Sequence, residues 1–233
     1  MRETRRQFRE DLIALERETL GGLDLITGQL GRALEAISYQ NVELAELVVA
    51  EDQRIDARYV VVHRGALSLL ARQAPVAGDL RIVAALLAII RCVERMGDQC
   101  ANIAKLVPLS GYDAPKDAEV LVAIERMGQL VLAEVTRAHE ALWVRQGSMA
   151  RDLVRDGALV ARLSREIFSR AVEIGDDIAT REWAMFMILV ARCLERIADN
   201  AVEIAKQTVF VVTGSFRAPA APSQFAGERS GGP

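Results

Sequence analysis

Two histidines and three cysteines among 233 residues leave little of the usual equipment for metal or nucleophilic chemistry. No HExxH motif, phosphate-cradling Gly-rich loop, or Ser or Cys nucleophile with a positioned His occurs, so ordinary hydrolase or transferase chemistry has no machinery. A ferritin-like di-iron oxidase wants Glu-x-x-His pairs, yet His63 and His139 lie outside every acidic motif. Cys92, Cys100 and Cys193 form no CxxC pair and sit in apolar helical patterns, which predicts packed, reduced thiols rather than a disulfide framework. Aromatics are only 5%, and the 51% hydrophobic share is carried by Leu, Ala, Val and Ile, a mixture that favours helix packing over a β-sandwich. Positive charge is not in excess: the net charge is −3 and the pI about 5.6, so nucleic-acid binding is not expected. The longest uncharged runs, 82–90 and 183–191, each stop at an Arg, far short of the roughly 20 residues a membrane span requires. Residues 1–10 mix Arg and Glu without the apolar centre of a secretory signal. Together these absences predict a soluble, cytoplasmic, all-α protein whose partners are proteins, ions or small molecules.

What is present is helical periodicity. Phe8, Leu12, Leu15, Leu23, Ile26, Leu30, Leu34 and Ile37 predict a first helix over 4–37, with a bend or break at Gly21-Gly22. After a polar turn at 39–41, a second stripe over 42–70 ends before Pro75, which disfavours helix in the residue preceding it. A third helix is expected from Asp79, read as its cap, to about 107, where Pro108 and Gly111 stop it. A linker at 110–116 follows, and the pattern restarts with helices over 118–144, 149–174 and 180–213, joined by turns at Gly147-Ser148 and Asp176-Asp177. The domains are thus expected at 1–109 and 115–214. Residues 215–233 are rich in Ala, Pro, Ser and Gly and are expected to be a disordered tail.

The restart is a duplication. Residues 91–105, RCVERMGDQCANIAK, return 101 positions later (192 − 91) as RCLERIADNAVEIAK, with eight of fifteen identical. Upstream, RALEAI at 32–37 echoes RAHEAL at 137–142. The predicted architecture is two tandem antiparallel three-helix bundles related by internal duplication.

Arg91, Glu94, Arg95, Asp98, Asn102 and Lys105 fall at helical spacing on one polar face, opposite a core face of Ile90, Val93, Gly97, Cys100 and Ala104. Like charges four residues apart, Glu94 and Asp98, oppose helix formation by about 0.2–0.5 kcal/mol unless a cation is near. Two readings stay open: a surface ladder in which Arg91 reaches Glu94 and Arg95 reaches Asp98, or a site for hard cations completed by a second helix. Asp52 and Asp56, with Glu51 beside them, supply a second i,i+4 pair. If the second and third helices pack antiparallel across their short loop, all four carboxylates reach one level. In the second unit Glu195 and Asp199 repeat the pair, but Gly157 and Ala161 stand where Asp52 and Asp56 stood. Asp156 lies opposite Glu51, and Glu203 replaces Asn102.

These residues resemble the PhoU family. Its signatures are a Pro-Val-Ala-x-Asp-Leu-Arg start to the third helix, here Pro75 to Arg81, and a Glu-Arg-Ile/Met-Gly-Asp segment followed by Asn-Ile-Ala-Lys, here Glu94 to Asp98 and Asn102 to Lys105. The resemblance covers about 8–213. It implies a negative regulator of the phosphate-starvation response, an adaptor between the ATPase subunit of the Pst phosphate importer and a sensor histidine kinase. With no catalytic machinery in the sequence, the adaptor is expected to be non-enzymatic and to associate with the membrane only through partners; self-association as a homodimer is left open. Family members carry iron or other divalent metal clusters on paired acidic motifs. Carried over, these are Asp52 with Asp56 and Glu94 with Asp98, and Glu195 with Asp199 in the second unit, where Asp156 and Glu203 are the candidate supplements. Arg91, Arg95, Arg192 and Arg196 are the expected partner-binding residues. The alternative function is a carboxylate-rich metal-binding protein with storage or metalloenzyme activity.

Overall fold

A computed structural model describes residues 2–72, 75–110, 116–156, 158–174 and 177–215, with only the backbone of residues 2–4, 156 and 158. The elements run α1 (Arg2–Tyr39), α2 (Val42–Arg72), α3 (Ala77–Leu106), a short 3-10 turn (Pro108–Ser110), α4 (Ala118–Trp143), α5 (Gly147–Asp156), α6 (Ala158–Glu173) and α7 (Ile178–Thr213). All regular structure among the described residues is helical, as the apolar periodicity predicts. No helix there is long and apolar enough to cross a membrane.

Helix α1 is unbroken at Gly21-Gly22, contrary to expectation. Both glycines lie at close approaches: a Cβ on Gly22 would stand 3.0 Å from Val93 of α3, and one on Gly21 would stand 2.8 Å from the Arg58 guanidinium of α2. The pair admits neighbouring side chains while the backbone stays helical. Asn41 starts α2, its Oδ1 accepting from the Leu44 N–H at 3.0 Å. Helix α3 also departs from expectation: it begins at Ala77 after Val76, and no side chain caps it. Asp79 lies inside its first turn, where a carboxylate still favours the positive end of the helix dipole. In the second unit aspartates do cap, Asp117 accepting from Val120 N–H at 2.9 Å and Asp177 from Thr180 N–H at 3.2 Å.

The helix expected over 149–174 is described as α5 and α6, on either side of residue 157, which lies outside the described residues. Most of the inter-domain linker (111–115), Asp176 of the expected acidic turn and all but the first residue of the expected tail (216–233) likewise lie outside the described residues.

Helices α1, α2 and α3 pack as one bundle, and α4, α5–α6 and α7 as the other. The bundles join along α3 against α7 and α1 against α4, and one apolar core runs through both. At the second seam Gly128 of α4 lies under Leu34 of α1, whose Cδ2 is 2.4 Å from where a Cβ would be. The duplicated third helices, which carry the acidic segments, are therefore central to the molecule, each with a polar edge turned outward.

Candidate functional site

The 3.6-residue repeat sorts α3 as expected: Val93, Met96, Gly97 and Cys100 are buried, Arg91, Arg95 and Asp98 are exposed, and Glu94 is half-buried between the two faces. On α2, Ile55 is buried, Asp52 half-buried and Asp56 exposed. The two helices meet at Gly97, where a Cβ would lie 2.7 Å from Asp52 Oδ1 and 2.9 Å from Ile55 Cδ1. The absence of a side chain at Gly97 therefore lets an aspartate from α2 lie directly against α3.

The electrostatics show the convergence. Burial, then the charges of Asp56 and Asp98, push the Asp52 carboxyl above the usual range, against the pull of Lys105 and a hydrogen bond from Gln29. Glu94 is likewise raised by burial first, then by Asp98 and Asp56, with Arg95 opposing and Asp52 adding to the rise. Asp52, Asp56, Glu94 and Asp98 thus share one region in which like charges repel. The ladder of Arg91 to Glu94 and Arg95 to Asp98 is not formed as ion pairs among the described residues. Glu51 does not join the acids: it accepts from Arg32 of α1, with Arg32 Nε at 3.1 Å. Among the described residues no three acidic, histidine or cysteine side chains stand in ligand geometry around one point. The donor set is all oxygen, partly desolvated and negatively charged, the ligand chemistry that suits a hard divalent cation.

The second unit has the equivalent place in different form. Between α4, α6 and α7 lies a cavity of about 70 Å³ lined by Glu134, Val160, Ala161, Arg192, Glu195 and Asp199, among others. Val160 and Ala161 stand in place of Ile55 and Asp56, so side chains that fill the first site are shortened in the second. Glu195 is paired with Arg192 at 2.8 Å. Glu203 does not line the cavity; it accepts from Gln207 at 2.9 Å and lies 3.5 Å from Lys206. The side chain of Asp156 lies outside the described residues.

Glu134 went unnoticed in the sequence. It is buried, 6% exposed, and at the duplication offset of 105 (134 − 29) it matches Gln29, whose amide donates to Val48 O at 3.0 Å. An acid at a core position of an apolar stripe was the available signal.

The remaining candidates fall where packing explains them. Arg192 and Arg196 are exposed on α7 as Arg91 and Arg95 are on α3. Cys92 and Cys100 are buried and Cys193 half-buried; desolvation raises all three thiols, Cys92 to about 11, so they are not poised as thiolates. His63 lies near the Tyr59 ring, and His139 Nε2 is 3.6 Å from Asp24 Oδ1, both away from the acidic region.

Comparison with known proteins finds the same duplication. The PhoU domain matches twice, at 23–107 and 124–208, again 101 positions apart (124 − 23). The chain is 33% identical to a phosphate-specific transport system accessory protein PhoU homolog of Zymomonas mobilis over 84% of this chain and 86% of that one. It is 30% identical to PhoU homolog 1 of Mycobacterium leprae over 79% of this chain and 83% of that one. The crystal structure of the phosphate transport system regulatory protein PhoU from Streptococcus pneumoniae superposes with a TM-score of 0.82 at 26% identity, covering 91% of this chain and 99% of that one. With two domain matches, close relatives over most of its length and the same duplicated helical architecture, this chain belongs to the PhoU family.

Proposed function

We propose that the protein is a non-enzymatic regulator of a phosphate-specific transport system, restraining the phosphate-starvation response by linking the importer's ATPase subunit to a sensor histidine kinase. The observation that carries this reading is the pair of PhoU domains in a chain similar over most of its length to transport-system accessory proteins. An adaptor of this kind acts by binding one conformational state of a partner more tightly than another, and needs no reaction centre. The exposed arginines Arg91 and Arg95 on α3, and Arg192 and Arg196 on α7, are the proposed contact residues, charged and free of the core. In cells lacking the gene, importer and phosphatase expression should rise in phosphate-replete medium; unchanged expression would refute the regulatory role. Charge reversal at Arg91 and Arg95 should weaken co-purification with the ATPase and kinase, and unaltered recovery would remove that face from the contact.

The acidic region is proposed to hold an iron or other divalent metal cluster. Asp52, Asp56, Glu94 and Asp98 would bind it in the first unit, where it would neutralise mutual repulsion and tie α2 to α3. In the second unit Glu134, Glu195 and Asp199 are the nearest acids. Metal analysis of purified protein tests this: less than one tightly held metal per chain, unchanged when the four first-unit acids are replaced by amides, would end the metal proposal and leave the adaptor standing.

A further inference from the structure

An apolar recess lies away from the acidic regions, at the seam between the two units. It has a volume of about 260 Å³, and its floor is formed by Leu20 of α1, Ile82, Ala85 and Leu86 of α3, and Val211 of α7, with Trp143 at the end of α4 as its lip. The duplication shows what makes the space. At the offset of 101, Ile82, Ala85 and Leu86 correspond to Trp183, Phe186 and Met187, and the indole of Trp183 is fully buried. At the offset of 105, Trp143 corresponds to Ser38, whose hydroxyl donates to Glu125 Oε1 at 2.8 Å. In the second unit an aromatic ring thus fills the core from its own helix α7. In the first unit the corresponding position is aliphatic, and the ring stands at the lip instead, where Trp143 is 63% exposed.

The rim of the recess is positively charged. Glu16, Arg17 and Arg145 line it, two guanidiniums to one carboxylate, and the Glu16 carboxylate is taken up by Arg145. Arg17 is exposed and has no hydrogen bond or ion pair among the described residues. With Leu20 and Trp143 it lines both the recess and a shallower depression beside it. The acid of that depression, Asp24, lies 3.6 Å from His139 Nε2. An apolar cavity with one unpaired guanidinium at its mouth is complementary to a molecule with an apolar body and a single carboxylate, which arginine can bind through two parallel hydrogen bonds.

We propose that this recess binds a small aromatic carboxylate, with its ring in the space left by the aliphatic floor, beside Trp143, and its carboxylate paired with Arg17. An aromatic body matches both the apolar floor and the uncovered indole at the lip, since rings pack favourably edge-to-face or offset. The volume is just below the roughly 300 Å³ at which sites for drug-sized ligands begin, so a single ring on a short acidic chain fits better than a nucleotide or a lipid. Residues of α1, α3, α4 and α7 all line the site, so the ligand touches both units at once. The inference is independent of the regulatory reading, because it rests on the recess and the charge at its rim.

The test uses 4-phenylbutyrate as the probe and its neutral counterpart 4-phenyl-1-butanol as the control, with the full-length protein. Trp183 is buried and hidden from acrylamide, so quenching reads Trp143. Saturating 4-phenylbutyrate should lower the quenching constant about twofold by covering the Trp143 ring. Arg17→Gln, a surface change that leaves the core intact, should weaken the acid about three- to fivefold and the alcohol hardly at all, as expected of a solvent-exposed ion pair. Ala85→Phe, which supplies the bulk of Phe186 from within, should abolish binding of both. Failure of 4-phenylbutyrate to protect Trp143 at millimolar concentration would overturn the proposal. So would equal affinity of the acid for wild type and Arg17→Gln, because the guanidinium would then play no part.

Discussion

The carboxylate of Asp52 on α2 lies against Gly97 on α3, 2.7 Å from the point a Cβ would occupy. At the matching position of the other unit, Ala198 faces Val160 and Ala161 across a small cavity. Each site thus has a helix contact sized to its partners: no side chain where Asp52 and Ile55 press in, a methyl where they are replaced by smaller residues.

Gly97→Ala should therefore destabilise the protein although alanine is the better helix former. The helix gain of about 1 kcal/mol is set against an overpacking cost of about 1–3 kcal/mol, for a net loss of about 1 kcal/mol in urea denaturation. Ile55→Val in the same chain should recover part of it. A Gly97→Ala protein more stable than wild type would show that Asp52 and Ile55 yield freely.

The raised carboxyls of Asp52 and Glu94 set a pH dependence with a definite sign. A folded-state pKa above the unfolded value means the native state binds more protons in the window between them, so these two groups lower stability as pH rises through it. Their penalty is fully present above the raised folded-state values and relieved below the ordinary carboxylate range. Asp52→Asn should stabilise metal-free protein at pH 7 and make no difference near pH 3. A stability gain independent of pH would contradict repulsion as the cause.

Divalent metal should reverse that penalty. With Mn2+ at a hundred times its dissociation constant, single-site linkage stabilises by about 2.7 kcal/mol, read as a rise in melting temperature. Asp52→Asn combined with Glu94→Gln should abolish the rise. If the response survives that double change but disappears with Glu134→Gln, the cation belongs to the second unit.

Gly128 tests the seam between the units. A methyl there would overlap the Leu34 side chain, with Cδ2, Cδ1 and Cγ at 2.4, 2.8 and 3.1 Å, so Gly128→Ala should carry an overpacking cost of about 1–3 kcal/mol, offset in part by a helix gain of about 1 kcal/mol. Leu34→Ala makes room, and a double-mutant cycle should show coupling above about 0.5 kcal/mol. Additive losses would mean that α1 and α4 separate rather than clash.

The linear order of residues was enough to determine the six helical stripes, their duplication and the pairs Asp52–Asp56 and Glu94–Asp98, because helical periodicity and i,i+4 spacing are local properties of the chain. The loss of partners at Gly157 and Ala161 was legible for the same reason. Glu134 was not, since an acid on an apolar stripe acquires meaning only when α6 and α7 close around it. The unbroken course of α1 through Gly21-Gly22 was hidden too, because only Val93 and Arg58, distant in sequence, reveal why glycines stand there. Tertiary structure alone decided that Glu51 answers Arg32, that Glu203 turns away from the second cavity, and that small residues at Ile82 and Ala85 leave a recess at the seam. Spacing along a helix says which side chains share a face; what lies across from that face depends on packing between segments that no local pattern encodes.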